Sequence, residues 1–424
     1  MIKSIKSVFE VKHIRKKIIV TLLLVLVYKL LSVIPVPGAD TTKLEAIFKN
    51  WANSGLWFFS ALMWGGLKRF SIILLGLSPY INAVIIIQLL WVIVPKIGDL
   101  QKEGEQGQKI INKWTRRLTL PLAFAQSYGM ILLMNSLAWA QIIDTSNTSL
   151  VLSAMIIISA WTMFLVWLWE VMTEYGIGNG ISMIIMAWVL SSVPNTIMWY
   201  INKWDYPLFV GILLATLIII YIIIKFTEWN RRIPVIYTRT GREEKSYFPI
   251  RINQAWMIPI IFAVSLVTFP SILGQLLAKS TSTKAQEIGN FLQTYLNMNS
   301  PTWWLIWIYF LLVVAFSFFY VSITFNTEQV AESIQKRWGY IPGIRPWKET
   351  AEYLSKVSNH LNLFGWSFLA LIAVLPYVVS LLRWWETTKF IISGAWLIII
   401  VSVVLDLLRK IDSEVKMYDY SKFK

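Results

Sequence analysis

Ten apolar runs, each near the length needed to cross a lipid bilayer, lie between Ile18 and Leu408. A spanning helix needs roughly 20 predominantly apolar residues to cover the hydrocarbon layer. The runs fall at about Ile18 to Ile34, Ser71 to Val94, Leu118 to Leu137, Leu150 to Leu168, Ile181 to Tyr200, Pro207 to Lys225, Ala255 to Leu277, Trp303 to Phe325, Leu363 to Leu382 and Phe390 to Leu408. Only 15% of the 424 residues are charged and 56% are hydrophobic, whereas soluble domains carry about 25% charged residues. An all-α, multi-pass membrane protein is expected. The basic start, Lys3 to Lys17, leads into a run of full spanning length with no small-residue cleavage pattern after it, so the first helix should be retained. Cysteine is absent, which excludes disulfides, thiolate metal sites and a thiol nucleophile. The two histidines, His13 and His360, lie in polar segments and read as solvated side chains.

One apolar segment is too short to cross. Trp57 to Trp64 is about one third of the roughly 20 residues required, and Gly65-Gly66, Lys68 and Arg69 end it. Lipid cannot satisfy the backbone of a helix that enters the membrane and turns back. Such a stub must therefore sit in protein or line a water-filled cavity.

Lys and Arg set the orientation. With the N-terminus in the cytoplasm, 29 of the 39 basic residues fall on that side, in the start, the polar segments at 96–117, 225–251 and 336–356, and the tail. Both termini are therefore expected to be cytoplasmic. The aromatics agree: Trp139, Trp199 with Trp204, Trp303 with Trp304, and Trp384 with Trp385 mark outer ends of runs, where indole prefers the interface. Ten spans allow two halves of five, and an odd number per half would invert one against the other around a passage. The expected division is a cytoplasmic segment 1–17, an N-terminal half 18–200, a C-terminal half 207–408 with cytoplasmic loops at about 226–254 and 326–360, and a tail 409–424.

Signatures of enzymes are missing. No HExxH or GxSxG occurs, and Gly104-Glu105-Gln106-Gly107-Gln108-Lys109 is too short for a Walker A loop and follows no strand. Lys29, Glu170, Glu174 and Asp406 all lie near ends of runs, where they reach the interface, so a proton relay is disfavoured. The pairs Leu77 with Ile81 and Ile181 with Ile185 each put two branched side chains on one helical face. By spacing alone that signifies lipid or core contact. The segment Glu228 to Arg251, with Arg231-Arg232-Ile233-Pro234-Val235 and Arg239-Thr240-Gly241-Arg242, suits a hairpin projecting from the membrane. In Tyr340-Ile341-Pro342-Gly343-Ile344-Arg345-Pro346, prolines stiffen the chain around one arginine. Basic loops of this length suit a docking surface for an acidic or nucleic-acid partner.

Taken in order, these motifs resemble the SecY/Sec61α family, the channel subunit of the protein translocase. The resemblance rests on Ile34-Pro35-Val36-Pro37-Gly38, Gly76-Leu77-Ser78-Pro79-Tyr80-Ile81, Gln88-Leu89-Leu90, Thr115-Arg116 with Leu118-Thr119-Leu120, and Thr173-Glu174-Tyr175-Gly176-Ile177-Gly178-Asn179-Gly180-Ile181-Ser182. Farther along stand Arg231-Arg232-Ile233-Pro234-Val235, Ile258-Pro259-Ile260-Ile261-Phe262-Ala263, Phe325-Asn326 and Ile341-Pro342-Gly343-Ile344-Arg345-Pro346.

The resemblance implies a central hourglass pore between two inverted five-helix halves. Its constriction would be formed by Leu77, Ile81, Ile181, Ile185, Ile261 and Ile399, and its plug by the re-entrant stub at about 57–66, including Phe58, Phe59, Ala61, Leu62, Met63, Gly65 and Gly66. Aliphatic side chains can close around any polypeptide by dispersion contact, and they dewet a neck so that ions are blocked. A lateral gate would release apolar signal sequences into the lipid bilayer, with Thr119, Gln126 and Asn253 as candidate polar gate residues. Arg231, Arg232, Arg239, Arg242 and Arg345 would dock cytosolic partners.

Those implied partners are a SecA-type motor ATPase and the ribosome, besides SecE-like and SecG-like small membrane subunits and the nascent polypeptides themselves. No cofactor is implied, and the expected location is the bacterial inner membrane. A secondary transporter of a small solute is the alternative, and it calls for a polar site at mid-membrane. An intramembrane enzyme would need a nucleophile and base, or metal ligands, facing one cavity; a paralogue devoted to few exported proteins is a third possibility. The chain also departs from the family's pattern, with Trp169, Trp188, Trp256, Trp338 and Trp347 where that pattern has glycine. Overpacking of roughly 1–3 kcal/mol is expected at each.

Overall fold

The computed structural model describes residues 11–40, 70–94, 104–138, 142–203, 206–238, 244–252, 254, 258–278, 282–296, 302–381 and 394–422. Each of the ten apolar runs coincides with a helix: α1 (Lys12–Leu31), α2 (Ser78–Ile93), α3 (Glu105–Ala138), α4 (Thr148–Tyr175), α5 (Gly180–Lys203), α6 (Tyr206–Glu228), α7 (Ile258–Leu277), α9 (Trp303–Thr324), α11 (Lys348–Leu381) and α12 (Gly394–Lys422). Two further helices, α8 (Thr283–Tyr295) and α10 (Thr327–Lys336), lie in connections that sequence reading treated as loops. Four of the described helical stretches are long and apolar enough to cross a membrane: Thr148–Tyr175, Phe209–Glu228, the stretch starting at Trp303, and Lys348–Leu375.

Two compact units make up the chain. The first comprises Met1–Asn195, Thr268–Pro301 and Val403–Lys424. Within it α1 packs on α4, α2 on α3, and α3 on α4. The α1 helix buries Ile14, Thr21 and Tyr28, which recur every seven residues on one face. Its Leu22, Leu23, Leu26 and Leu30 are exposed. An apolar face turned outward in this way is suited to acyl chains, because lipid is as apolar as leucine.

At 34 residues, α3 reaches about 50 Å at 1.5 Å per residue. That exceeds the hydrocarbon thickness of about 30 Å, so its polar first turns extend beyond the apolar run. Its other end is held by Asn135. The side-chain oxygen accepts from the Ile142 and Ile143 N–H groups at 2.8 and 3.2 Å, and the amide donates to the Ile143 carbonyl at 2.7 Å.

The second run was expected to be helical from Ser71, but α2 starts at Ser78. Gly76 takes φ +53°, and Pro79 occupies the first turn, where a missing N–H costs nothing. Residues 71–77 instead form successive tight turns, such as the Leu74 N–H to the Ser71 carbonyl at 2.9 Å. They are buried and tied to residues 34–36, with the Ile72 N–H donating to the Ile34 carbonyl at 2.9 Å.

The second unit comprises Thr196–Val267 and Thr302–Ser402. In it α9 and α10 pack on α11, helped by an edge-to-face contact of Phe318 with Trp366 at 5.3 Å. Asn326 caps α10 by accepting from the Glu328 and Gln329 N–H groups at 3.1 and 3.2 Å. The expected hairpin is present: β1 (Asn230–Tyr237) pairs antiparallel with β2 (Glu244–Arg251), Ile233 opposite Phe248. Beyond expectation, a third strand, β3 (Gly339–Tyr340), pairs with the other edge of β1. Strand order is therefore β2-β1-β3. Beneath the sheet lie Ile233, Val235, Ile250, Ile334, Ile341, Leu354 and Val357, all buried.

Tryptophan at the glycine-like positions does not act as expected everywhere. Trp188 is buried, whereas Trp338 and Trp347 are 72% and 64% exposed. Overpacking does not apply to those two, because their indoles project away from neighbours. Trp256 lies outside the described residues.

Candidate functional site

Three of the six aliphatic positions are fully packed: Leu77 at 0%, Ile185 at 0% and Ile399 at 1% exposure. Ile81, Ile181 and Ile261 are half-buried. Leu77 is the residue just before α2 and its carbonyl accepts from the Ile81 N–H at 2.9 Å. The two side chains thus follow one another by a single helical turn. Ile181 and Ile185 have the same relation on α5. These four belong to the first unit, while Ile261 on α7 and Ile399 on α12 belong to the second.

The start of α5 is fixed by the turn 176–180. Asn179 accepts from the Ile181 N–H at 3.0 Å, and the Thr173 hydroxyl accepts from the Gly180 N–H at 2.9 Å. Gly176 is required by close approach: a Cβ there would come within 2.5 Å of both the Met172 carbonyl oxygen and the Thr21 hydroxyl. Gly178 takes φ +92°, which side chains rarely adopt. The turn therefore sets where Ile181 and Ile185 begin.

Of the charged residues considered for a relay, Glu170 is paired across two helices. Arg116 Nη1 lies 3.2 Å from Glu170 Oε2, joining α3 to α4. Among the described residues no group of three His, Asp or Glu could hold a metal ion.

Of the candidate gate residues, Thr119 is fully buried and its hydroxyl donates to the Thr115 carbonyl one turn back at 2.8 Å. Gln126 is half-buried, and Asn253 lies outside the described residues. So does the whole proposed plug, from Phe58 to Gly66. Next to Thr119, and not expected from the sequence, lies an apolar cleft of about 520 Å³ between α3 and α4, lined by Leu120, Pro121, Phe124, Ala125, Ile156 and Ser159 among others. Pro121, which removes a helical hydrogen bond, was the available signal.

Of the arginines expected to dock partners, Arg231, Arg232 and Arg345 fall on the three-stranded sheet and its adjoining loop. Arg231 and Arg232 are exposed on β1 opposite Ile250 and Pro249; Arg239 and Arg242 lie outside the described residues. Arg345 has an 87% exposed side chain. Its backbone is anchored on both sides: the Thr350 hydroxyl donates to its carbonyl at 2.9 Å, and its N–H donates to Glu349 Oε2 at 3.3 Å. Ile341 is buried in the core under the sheet and Ile344 packs against it. Two basic loops far apart in sequence are thus one packed body.

Comparison with known proteins completes the picture. The SecY family model matches residues 71–408. A protein translocase subunit SecY of Halalkalibacterium halodurans is 35% identical, with all of both chains aligned. Among solved structures, a SecY channel studied for its plug domain has a TM-score of 0.68 at 18% identity, covering 94% of this chain and 92% of that one. Sec61 from the canine ribosome–channel complex of the endoplasmic reticulum has a TM-score of 0.63 at 17% identity, covering 94% and 92%. The helical order, the motifs in it and full-length likeness agree: the chain belongs to the SecY family of protein translocase subunits.

Proposed function

We propose that this protein-conducting channel subunit seals its passage with Leu77, Ile81, Ile181, Ile185, Ile261 and Ile399. The observation that carries the assignment is their burial. Lipid-facing leucines of α1 are more than half exposed, whereas all six of these aliphatic side chains are buried or half-buried. Branched apolar side chains grip a passing chain by dispersion, irrespective of its sequence, and exclude ions when it is absent. In this reading the stub at 57–66 plugs the passage from the outer side. The halves 18–200 and 207–408 are the inverted repeats. Apolar segments leave sideways past Thr119, Gln126 and Asn253, driven by burial of their surface in lipid.

The setting is the bacterial inner membrane with both termini in the cytoplasm, beside SecE-like and SecG-like subunits. Energy comes from a SecA-type motor or from the ribosome, docked on the sheet and the Arg345 loop. Ribosome docking is supported by the fold shared with Sec61 of a ribosome–channel complex and by arginine's suitability for RNA phosphates. A solute transporter is not favoured, since the candidate midplane positions are aliphatic. Photo-crosslinking decides: an arrested polypeptide should react with probes at residues 81, 185 and 261, and capture only by probes on the exposed face of α1 overturns the assignment.

A further inference from the structure

The loop between β3 and α11 makes one kind of turn twice. In Ile341-Pro342-Gly343-Ile344 the Ile344 N–H donates to the Ile341 carbonyl at 3.1 Å, and Gly343 has φ +81°. In Arg345-Pro346-Trp347-Lys348 a proline again comes second, and Trp347 has φ +80°. Proline followed by a residue of positive φ is the type II arrangement, in which the third place belongs to glycine. Gly343 obeys this. Trp347 does not, and the left-handed region is strained for any residue with a Cβ.

Trp338 breaks the same rule at a helix end. The α10 helix closes at Lys336, Arg337 is its C-cap, and Trp338 follows with φ +58°. The first residue past the cap is where helices place a left-handed glycine. Its conformation is held from two sides: its N–H donates to the Gln335 carbonyl at 2.8 Å, and its own carbonyl accepts from the Thr238 N–H and hydroxyl at 3.0 and 3.2 Å. The backbone cannot relax to suit the side chain without losing these bonds.

Neither indole compensates by packing, since both are exposed. Among the described residues the other non-glycine with positive φ is Phe70, at +46°, and its ring is fully buried, so burial offsets its strain. Composition points the same way. The chain has 23 tryptophans and 20 glycines, while a protein of its length ordinarily carries roughly 30 glycines.

We propose that residues 338 and 347 are glycine in the protein as its own cell makes it, the tryptophans standing for a codon which that cell reads as glycine. Position 347 lies in the loop that presents Arg345, and position 338 leads into the strand before it. Glycine at 347 lets the second turn close behind the arginine, and glycine at 338 lets the chain leave α10 and enter β3. The assignment is independent of what docks there.

Peptide sequencing by mass spectrometry of the chain purified from the membranes of its source tests this. Trypsin cuts after Arg337 and Lys348 but spares the Arg345–Pro346 bond, so one peptide, 338–348, holds both positions. Glycine at both is expected, and tryptophan at either overturns the proposal. Backbone strain at the two positions is tested in the recombinant full-length chain. Trp338→Gly with Trp347→Gly should raise the thermal unfolding midpoint in detergent, while Phe70→Gly lowers it. A midpoint unchanged or lowered by the double replacement rejects the strain on which the assignment rests.

Discussion

Lys17 Nζ lies 2.6 Å from Glu414 Oε1, joining side chains 397 positions apart. Around them Val11, Ile14, Ile177, Ile411 and Val415 form one buried cluster. The start of α1, the turn after α4 and the end of α12 therefore meet. Contact among them requires that all three lie on one side of any membrane the chain spans. Both charged side chains are about one quarter exposed, and the second carboxylate oxygen of Glu414 is buried without a partner. Truncating Lys17 leaves that carboxylate poorly compensated. Lys17→Ala should cost about 1–2 kcal/mol, between the values for exposed and buried pairs. Thermal unfolding of Lys17→Ala, Glu414→Ala and the double variant in detergent gives the coupling, and additive single effects would show the pair to be inert.

Thr21 supports the same junction with a neutral group. Its hydroxyl donates to the Lys17 carbonyl at 2.9 Å and accepts from the Ile177 N–H at 3.0 Å, and Thr21 is buried. Thr21→Val conserves shape but leaves a buried N–H without an acceptor, at a cost of about 1–3 kcal/mol. Hydrogen exchange at the Ile177 amide should accelerate accordingly. Unchanged protection there would mean that another acceptor or water takes over the bond.

Long helices were legible because spanning them takes a run of one character, and every apolar run named from sequence coincides with a helix. The hairpin was legible for a different reason: Ile233 and Val235 alternate with exposed residues, the period of a half-buried strand. What escaped was non-local. The two residues of β3, Gly339 and Tyr340, carry no strand signal of their own and pair only because Ile341 is buried under the sheet. The salt bridge of Lys17 with Glu414 cannot be read from positions at opposite ends of the chain. Thr119 was named as a polar gate residue from resemblance alone; its hydroxyl bonds within its own helix, as i and i−4 positions allow threonine.

The α8 helix escaped because its apolar residues are few, and its contacts with α7 depend on glycine. A Cβ on Gly289 would fall on the backbone of Ala278, and one on Gly274 would come within 2.8 Å of Leu292 Cβ. Backbone cannot yield as a flexible side chain can. Gly289→Ala should therefore destabilise by about 1–3 kcal/mol through overpacking, and limited proteolysis near residues 279–282 should quicken. A variant as stable and as resistant as the parent would show that α8 is not pressed against α7.

Arg345 offers a test of the proposed docking that leaves the fold intact. Its side chain is almost fully exposed and Glu349, in the first turn of α11, is 3.9 Å away, a pair worth little at a surface. Arg345→Glu should shift stability by no more than about 0.5 kcal/mol and leave insertion of the channel into membranes intact. Motor-driven export into inverted vesicles should fall, since charge reversal repels an acidic or phosphate-bearing partner. Normal export by this variant would remove Arg345 from the docking surface.

Ile81 and Ile185 test the seal itself. Replacing Ile81 with Asn adds a polar group at a half-buried position at small cost in packing, whereas Ile185 is fully buried and its replacement by Asn should destabilise by about 2–4 kcal/mol. The two substitutions share one expected effect on conductance despite that difference in stability. A neck lined by amides holds water where aliphatic side chains expel it, so planar bilayers containing either variant should pass ions with no polypeptide in transit. Ile81→Val is the control, because it keeps the apolar character and should remain tight. If Ile81→Asn is as tight as the parent while the chain is correctly folded, the side chain at 81 does not line the passage, and the aliphatic positions are packing residues of the helices that carry them.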